Sequence, residues 1–258
     1  MFLLAALSAL GRALVHCFAS ALHKLQPLPR RDWFSAAGGV AVAYVFLHLL
    51  PELEHHQRAL EGSDWPILEA LTHHAYLLAL AGLALFYGLE RAIKRSKRAS
   101  EDGGDAKSSG SEYGSSEDSS SEDSSSERRD FWLHIGAFAL YNALIGYLLL
   151  GAEDPRELLL FAAAMALHFV VNDDALRNHH EAQYDRLGRW VMAAGVLAGW
   201  GFGAVVDLGE AGLAAIFAFL AGGIVLNVLK EELPEERESR FLSFVGGAAL
   251  YALLLLVV

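Results

Sequence analysis

The sequence lacks the features of several common protein classes. Cys17 is the only cysteine in 258 residues, so the chain can form neither an internal disulfide nor a thiolate metal site. The long apolar stretches are continuous rather than alternating, which excludes a transmembrane β-barrel. No nucleophile motif accompanies the histidines and carboxylates, and an enzymatic function is therefore not expected.

The N-terminal stretch also lacks the charge pattern of a signal peptide. Ala19-Ser20-Ala21 faintly resembles a cleavage site, but no basic region precedes it and Arg12 interrupts the apolar part. We therefore expect a retained first helix rather than a removed leader. Arg12 and His16 are four residues apart, and the face that they share should point at protein or at the membrane interface rather than at lipid.

Long apolar runs dominate what is present. The chain is 54% hydrophobic and has about eight runs long enough to cross a bilayer, which predicts an all-α, polytopic membrane bundle of about eight transmembrane helices. The predicted spans are residues 2–22, 33–50, 74–90, 131–150, 158–177, 188–206, 211–229 and 241–258. We expect Pro51 to end the second span.

An acidic, serine-rich segment divides the chain. Nine acidic residues and one lysine lie between Ala99 and Glu127, which accounts for −8 of the net charge of −11. Such a composition has little to bury and predicts a disordered loop. The resulting division is residues 1–95 with spans one to three, residues 96–130 as a disordered cytoplasmic loop, and residues 131–258 with spans four to eight. The SSED and SSSED repeats are either phosphate acceptors or a solvated spacer.

The distribution of basic residues predicts the orientation. With the N-terminus outside, 17 of the 20 Lys and Arg residues lie in cytoplasmic loops, whereas the outside loops hold only Arg58 and Arg156. This asymmetry follows the positive-inside rule and puts both termini outside. We expect an integral protein of the plasma (inner) membrane.

The fifth predicted span carries polar residues within an apolar helix. His168 and Asn172 are four residues apart on one helix face, and Asp173 lies beside Asn172. Ionisable residues inside a membrane are expensive and usually functional. These groups could hold a divalent metal or relay a proton. The alternative is an ordinary interhelical hydrogen bond, worth about 1 kcal/mol.

Two helix ends that close in Leu-Pro-Glu carry a family resemblance. One is FLHLLPE at the end of span two, and the other is AFLAGGIVLNVLKEELPEE, from Ala218 to Glu236. Together with about eight spans, external termini and a long loop after span three, these segments resemble the ZIP family of divalent-metal transporters. The resemblance covers nearly the whole chain outside the acidic loop. It implies a ZIP-like helical bundle that transports zinc or another divalent cation and needs no organic cofactor.

The resemblance also implies where the transported ion binds. The family typically has His-Asn-x-x-Asp-Gly in span four, His-Glu-x-x-His-Glu in span five and Glu-Pro before Gly-Ala in span six. The corresponding stretches here are YNALIG, HFVVND and GWGFGA. They retain Asn142 and His168, and Asn172 and Asp173 replace the second His-Glu of span five. The implied metal residues are thus His168, Asn172, Asp173 and Asn142, a reduced set that His134 or Asn227 could complete.

The departures from the family pattern leave a second function open. Tyr141, Ile145, Phe169 and Trp200 stand where the family has liganding residues. Each replaces a ligand by a group that fills the ion path or excludes water from it. These replacements favour a transport-inactive ZIP-like scaffold, sensor or assembly protein. The expected partners are the lipid bilayer and a divalent cation, with a homodimer and a protein bound to the acidic loop as further options and no nucleic acid.

Overall fold

A computed structural model describes residues 1–22, 29–61, 74–107, 118–152, 154–232 and 240–257. These residues form helices and contain no strand, which agrees with the predicted all-α bundle. The helices are α1 (Phe2–Leu22), α2 (Arg30–Tyr44), α3 (Leu50–Glu61), α4 (His74–Lys107), α5 (Asp118–Leu148), α6 (Pro155–Gln183), α7 (Arg189–Gly203), α8 (Gly209–Asn227) and α9 (Phe241–Val257). Three π-helical turns, Val45–Leu49, Tyr184–Gly188 and Val228–Glu232, adjoin them.

Pro51 does not end the second helix, contrary to the prediction. The π-turn Val45–Leu49 joins α2 to α3, and the N–H of Leu50 donates to the carbonyl of Val45. A proline in a regular helix removes one hydrogen bond and clashes with the carbonyl four residues earlier. The wider turn just before Pro51 accommodates both effects, so the helix continues to Glu61.

The two segments that end in Leu-Pro-Glu share this irregularity. In the second of these segments, the π-turn Val228–Glu232 follows α8. Pro234 comes two residues after this turn, just as Pro51 comes two residues after Leu49. Pro234 itself lies outside the described residues. A π-turn therefore comes before each of the two prolines in the sequence.

The segment predicted as a disordered loop is partly helical. α4 runs on to Lys107 and α5 begins at Asp118, so helix covers residues 96–107 and 118–130. Each extension continues from an apolar helix, and adding a residue to an existing helix is far easier than starting a new one. Residues 108–117 lie outside the described residues, and the three-part division of the chain remains a prediction.

The helices pack in pairs whose backbones touch at glycines. Gly199 of α7 approaches α5 so closely that a Cβ atom there would lie 1.8 Å from the carbonyl oxygen of Ala143. Gly222 of α8 approaches α4 in the same way, 1.8 Å from the carbonyl oxygen of Ala79. Small residues at these positions allow the close helix contacts that are typical of membrane bundles.

Four helices are long and apolar enough to cross a membrane: Asp32–Arg58, His74–Ala92, Phe131–Leu148 and Gly209–Lys230. Two shorter apolar helices are Phe2–Phe18 and Phe241–Leu256. Large apolar side chains also cover the outside of the bundle; Phe46 is 61% and Leu80 is 60% exposed. Soluble proteins rarely expose so much apolar surface. A membrane bundle is thus supported, while eight spans remain a prediction.

The two faces of α1 differ sharply. Leu3, Leu7, Leu10, Leu14 and Phe18 form an exposed apolar face. The opposite face, which carries Arg12 and His16, is buried against α6 and α7. The prediction that Arg12 and His16 face protein is therefore confirmed, and the first helix brings two ionisable residues into the interior.

Candidate functional site

The four predicted metal residues are all buried in the bundle. Asn142 lies on α5, and His168, Asn172 and Asp173 lie near the middle of α6. Each is at most 3% exposed. Such burial is costly for polar groups without partners, and the partners that the structure supplies divide the four residues into two networks.

His16 of α1 is the centre of the first network. Its Nδ1 lies 2.9 Å from both carboxylate oxygens of Asp173. Its Nε2 lies 3.1 Å from Oδ1 of Asn142. The Asn142 side-chain nitrogen donates to the backbone carbonyl of Phe138 at 2.8 Å, which fixes Oδ1 as the atom that faces His16. One histidine thus joins a carboxylate of α6 to an amide of α5.

The partners of His16 favour its doubly protonated form. Both ring nitrogens face acceptors, and only an imidazolium can donate from both. Asp173 then forms a buried ion pair with His16 in which both carboxylate oxygens share the single Nδ1–H. The Phe169 ring covers the imidazole, with the ring centroids 4.6 Å apart. In this arrangement the oxygens of Asp173 and Asn142 are occupied by N–H donors.

His168 is the centre of the second network. The Tyr141 hydroxyl donates to Nε2 of His168 at 3.2 Å, and the Asn172 side-chain nitrogen lies 3.4 Å from the same atom. The amide nitrogen can only donate and the hydroxyl can donate as well, which suits an Nε2 that accepts from both. A neutral imidazole nitrogen is a good metal ligand, but this one is engaged by Tyr141.

The two networks are adjacent on both helices. Tyr141 and Asn142 are neighbours on α5, and Asn172 and Asp173 are neighbours on α6. Within the described residues, no group of three or more His, Cys, Asp or Glu side chains is arranged to hold a metal ion. A metal ion at this centre would have to displace N–H and O–H donors and recruit the amide oxygens.

Tyr184 and an ion pair border the cluster at the end of α6. Burial, with a smaller contribution from the negative charge of Asp173, raises the pKa of the Tyr184 hydroxyl. Tyr184 therefore remains protonated beside the carboxylate. Arg177 donates to both oxygens of Asp185 at 2.8–3.1 Å, which ties α6 to the π-turn that leads into α7.

A cavity of about 120 Å³ opens elsewhere, between α3 with the π-turn before it and helices α6 and α8. His48, Glu52 and His56, spaced four residues apart, form its polar side, and Phe161 of α6 forms part of its apolar side. Glu52 and His56 are 3.6 Å apart. One of the lining residues, His48, also contacts Tyr44, with the ring centroids 5.4 Å apart.

The sequence also associated Trp200, His134 and Asn227 with the site. Trp200 packs against Phe2, with ring centroids 5.3 Å apart. His134 is eight residues before Asn142 on α5, or about 12 Å along the axis, so these two cannot ligate one ion. Asn227 is 9% exposed, and its side-chain nitrogen has no hydrogen-bond partner among the described residues.

His16 is the functional residue that the metal-site prediction missed. The sequence contained one signal for it, because His16 and Asp173 are ionisable residues of opposite charge in separate apolar helices. Such residues usually pair in a membrane interior.

No protein-family model matches the chain, and neither the curated proteins nor the solved structures contain a match.

Proposed function

We propose that the chain is a ZIP-like transporter of divalent metal cations and that its ion site is the centre formed by His16, Asn142, His168, Asn172 and Asp173. The observation that carries the proposal is the convergence of these buried polar groups from three apolar helices. Polar residues at membrane depth are retained mainly where an ion or proton passes.

The chemistry of the centre suits a weak, transient site. One carboxylate, two amides and two imidazoles offer oxygen and nitrogen ligands of the type that zinc and similar divalent ions accept. Asp173 supplies the only fully buried negative charge among the described residues. A single carboxylate neutralises only half of the charge of a divalent ion, so the ion should bind less tightly than in a site with several carboxylates.

The experiment is metal uptake into proteoliposomes that enclose a metal-sensitive dye. Zinc, cadmium, manganese and ferrous iron are tested with the wild-type protein, the His168→Ala variant and empty vesicles. His55→Ala is the matched control, because His55 is an exposed histidine. We expect uptake by the wild type and by His55→Ala, and its loss in His168→Ala. Wild-type uptake no faster than in empty vesicles for all four metals would refute the proposal.

A second candidate function is a transport-inactive membrane protein of the same architecture that acts as a scaffold or sensor. Tyr141, Ile145 and Phe169 favour it, because each is completely buried and stands where the family typically has a ligand. His16 adds to the argument by occupying the oxygens of Asp173 and Asn142.

The double variant Tyr141→His/Ile145→Asp discriminates between the two functions. It restores two ligand types of the family pattern beside His168. If the centre binds transported ions, the variant should bind zinc or cadmium about tenfold more tightly in calorimetric titrations, which is a gain of about 1.4 kcal/mol. If the path is sealed, Phe169 still fills it and the variant should bind no metal.

A further inference from the structure

Arg12 is a completely enclosed arginine without a hydrogen-bond partner. It is 2% exposed, and Nε, Nη1 and Nη2 are all buried without a partner among the described residues. Its guanidinium lies over the Phe161 ring, 4.7 Å from the centroid. The ring face attracts the charge but accepts hydrogen bonds from the N–H groups only weakly.

The charge of Arg12 is not balanced within the described interior. Asp173 is the only fully buried carboxylate there, and both its oxygens are hydrogen-bonded to His16. Glu52 lines the cavity and faces His56. An unpaired charge costs several kcal/mol in a low-dielectric interior, so a further negative charge near Arg12 would stabilise the bundle.

Tyr44, which like Arg12 packs near Phe161, and its neighbour Tyr251 also have unused hydroxyl groups. The Tyr44 ring lies 6.4 Å from the ring of Phe161, over which Arg12 lies, and 6.2 Å from the ring of Tyr251. Tyr44 and Tyr251 are at most 3% exposed, and neither hydroxyl has a partner among the described residues. Arg12 and these two hydroxyls are thus buried N–H and O–H groups without a hydrogen-bond partner among the described residues.

We propose that Arg12, Tyr44 and Tyr251 bind a small monovalent anion, for which chloride is the probe. All three side chains can donate hydrogen bonds to it, and a single negative charge balances the single charge of Arg12. The surrounding side chains are aromatic and tightly packed, which favours a small ion. A lipid headgroup does not fit, because Arg12 is enclosed and lies about 15 Å along α1 from the start of the helix.

The cavity comes close to this site at Phe161. Phe161 lines the cavity and also lies under Arg12. His48, on the opposite side of the cavity, contacts Tyr44. An anion in the cavity is therefore separated from Arg12 by side chains rather than by a helix. The anion site does not depend on metal transport, so either proposal can fail without the other.

The test is thermal unfolding of the full-length protein in detergent while chloride replaces gluconate at constant ionic strength. An ion that binds only the folded state raises Tm in a saturable way. We expect this rise in the wild type and its loss in Arg12→Gln. Arg58→Gln is the matched control, because the Arg58 side chain is 73% exposed, and it should respond like the wild type.

Tyr44→Phe and Tyr251→Phe keep the test decisive if Arg12→Gln fails to fold. Each removes one donor but keeps the ring, so each should weaken chloride binding about tenfold. Crystals grown with bromide should show an anomalous peak beside Arg12. A wild-type Tm that does not depend on chloride would refute the proposal. The same chloride dependence in the wild type, Arg12→Gln, Tyr44→Phe and Tyr251→Phe would also refute it and would indicate an adventitious ion only.

Discussion

The buried pair of His16 and Asp173 should be the most sensitive point of the bundle. Removing one partner of a buried ion pair leaves the other charge uncompensated, which costs about 3–5 kcal/mol. His16→Leu should therefore lower the free energy of unfolding by about this amount, and the double variant His16→Leu/Asp173→Leu should recover a large part of the loss. Unfolding in detergent, followed by circular dichroism, measures both effects.

The exposed pair of Glu54 and Arg58 provides the control for the His16 and Asp173 variants. Their charged atoms are 3.9 Å apart, and the side chains are 51% and 73% exposed. Exposed pairs contribute little because water screens them, so Arg58→Ala should leave stability unchanged. If the His16→Leu variant were equally stable, the buried pair would not hold α1 against α6.

Tyr141→Phe tests the second network. The change removes the hydroxyl that donates to His168 but keeps the ring, which should cost about 1 kcal/mol of stability. It also frees the lone pair of His168 Nε2. If the centre binds divalent ions, cadmium affinity measured by calorimetry should therefore increase in this variant. Unchanged or weaker binding would show that the hydroxyl does not compete with a metal.

For individual residues, the sequence predicts which polar side chains are buried but not which side chains they contact. The polar residues of an apolar helix mark His168, Asn172 and Asp173 as interior groups, and all three are buried. Nothing in their spacing shows that α1 inserts His16 between Asp173 and Asn142. That contact depends on which helices are neighbours, and helix periodicity gives only the buried face of each helix.

Among the helices, the contact of α5 with α7 depends on glycine. A Cβ atom on Gly199 would lie 1.8 Å from the carbonyl oxygen of Ala143, whereas one on Gly201 would meet nothing within 4 Å. Gly199→Ala should therefore force the helices apart and cost about 1–3 kcal/mol. Gly201→Ala should be neutral or slightly stabilising. Thermal unfolding of the two variants, which differ only in position along one helix, isolates the contact.

The sequence predicts helix existence more reliably than helix ends. Phe2–Leu22 and Phe241–Val257 match their predicted spans closely, since apolar runs define them. The prediction that Pro51 ends a helix was wrong because the π-turn before it accommodates the steric clash of the proline ring. No residue in Val45–Leu49 indicates such a turn. The polar extensions of α4 and α5 were missed because composition indicates what can be buried rather than where a helix stops.

For the whole molecule, the number of membrane crossings decides what the polar centre can do. Only four of the described helices meet the criteria of length and composition for a span, and α6, which carries His168 and Asp173, is not among them. If α6 nevertheless crosses, the centre lies within the bilayer and an ion could pass through it. If α6 stays on one side, the same residues form an interfacial polar cluster.

Single cysteines measure whether α6 and α7 cross. Cys17 is the only native thiol, so a Cys17→Ala background is free of cysteine. Asp154, Arg186 and Asp207 are exposed and lie before α6, between α6 and α7, and after α7. The predicted orientation puts Asp154 and Asp207 outside and Arg186 inside. An impermeant maleimide should therefore label Asp154→Cys and Asp207→Cys in intact cells and Arg186→Cys only after permeabilisation.

Each other labelling pattern has a distinct meaning. If all three cysteines react in intact cells, neither helix crosses, and the buried ion pair of His16 and Asp173 cannot lie on a path through the membrane. If only Arg186→Cys reacts, both helices cross but the orientation is inverted, and the basic loops face outward against the positive-inside rule. If Asp154→Cys and Asp207→Cys react differently, only one helix crosses. Transport requires that α6 crosses, which is the case when Asp154→Cys and Arg186→Cys react from opposite sides of the membrane.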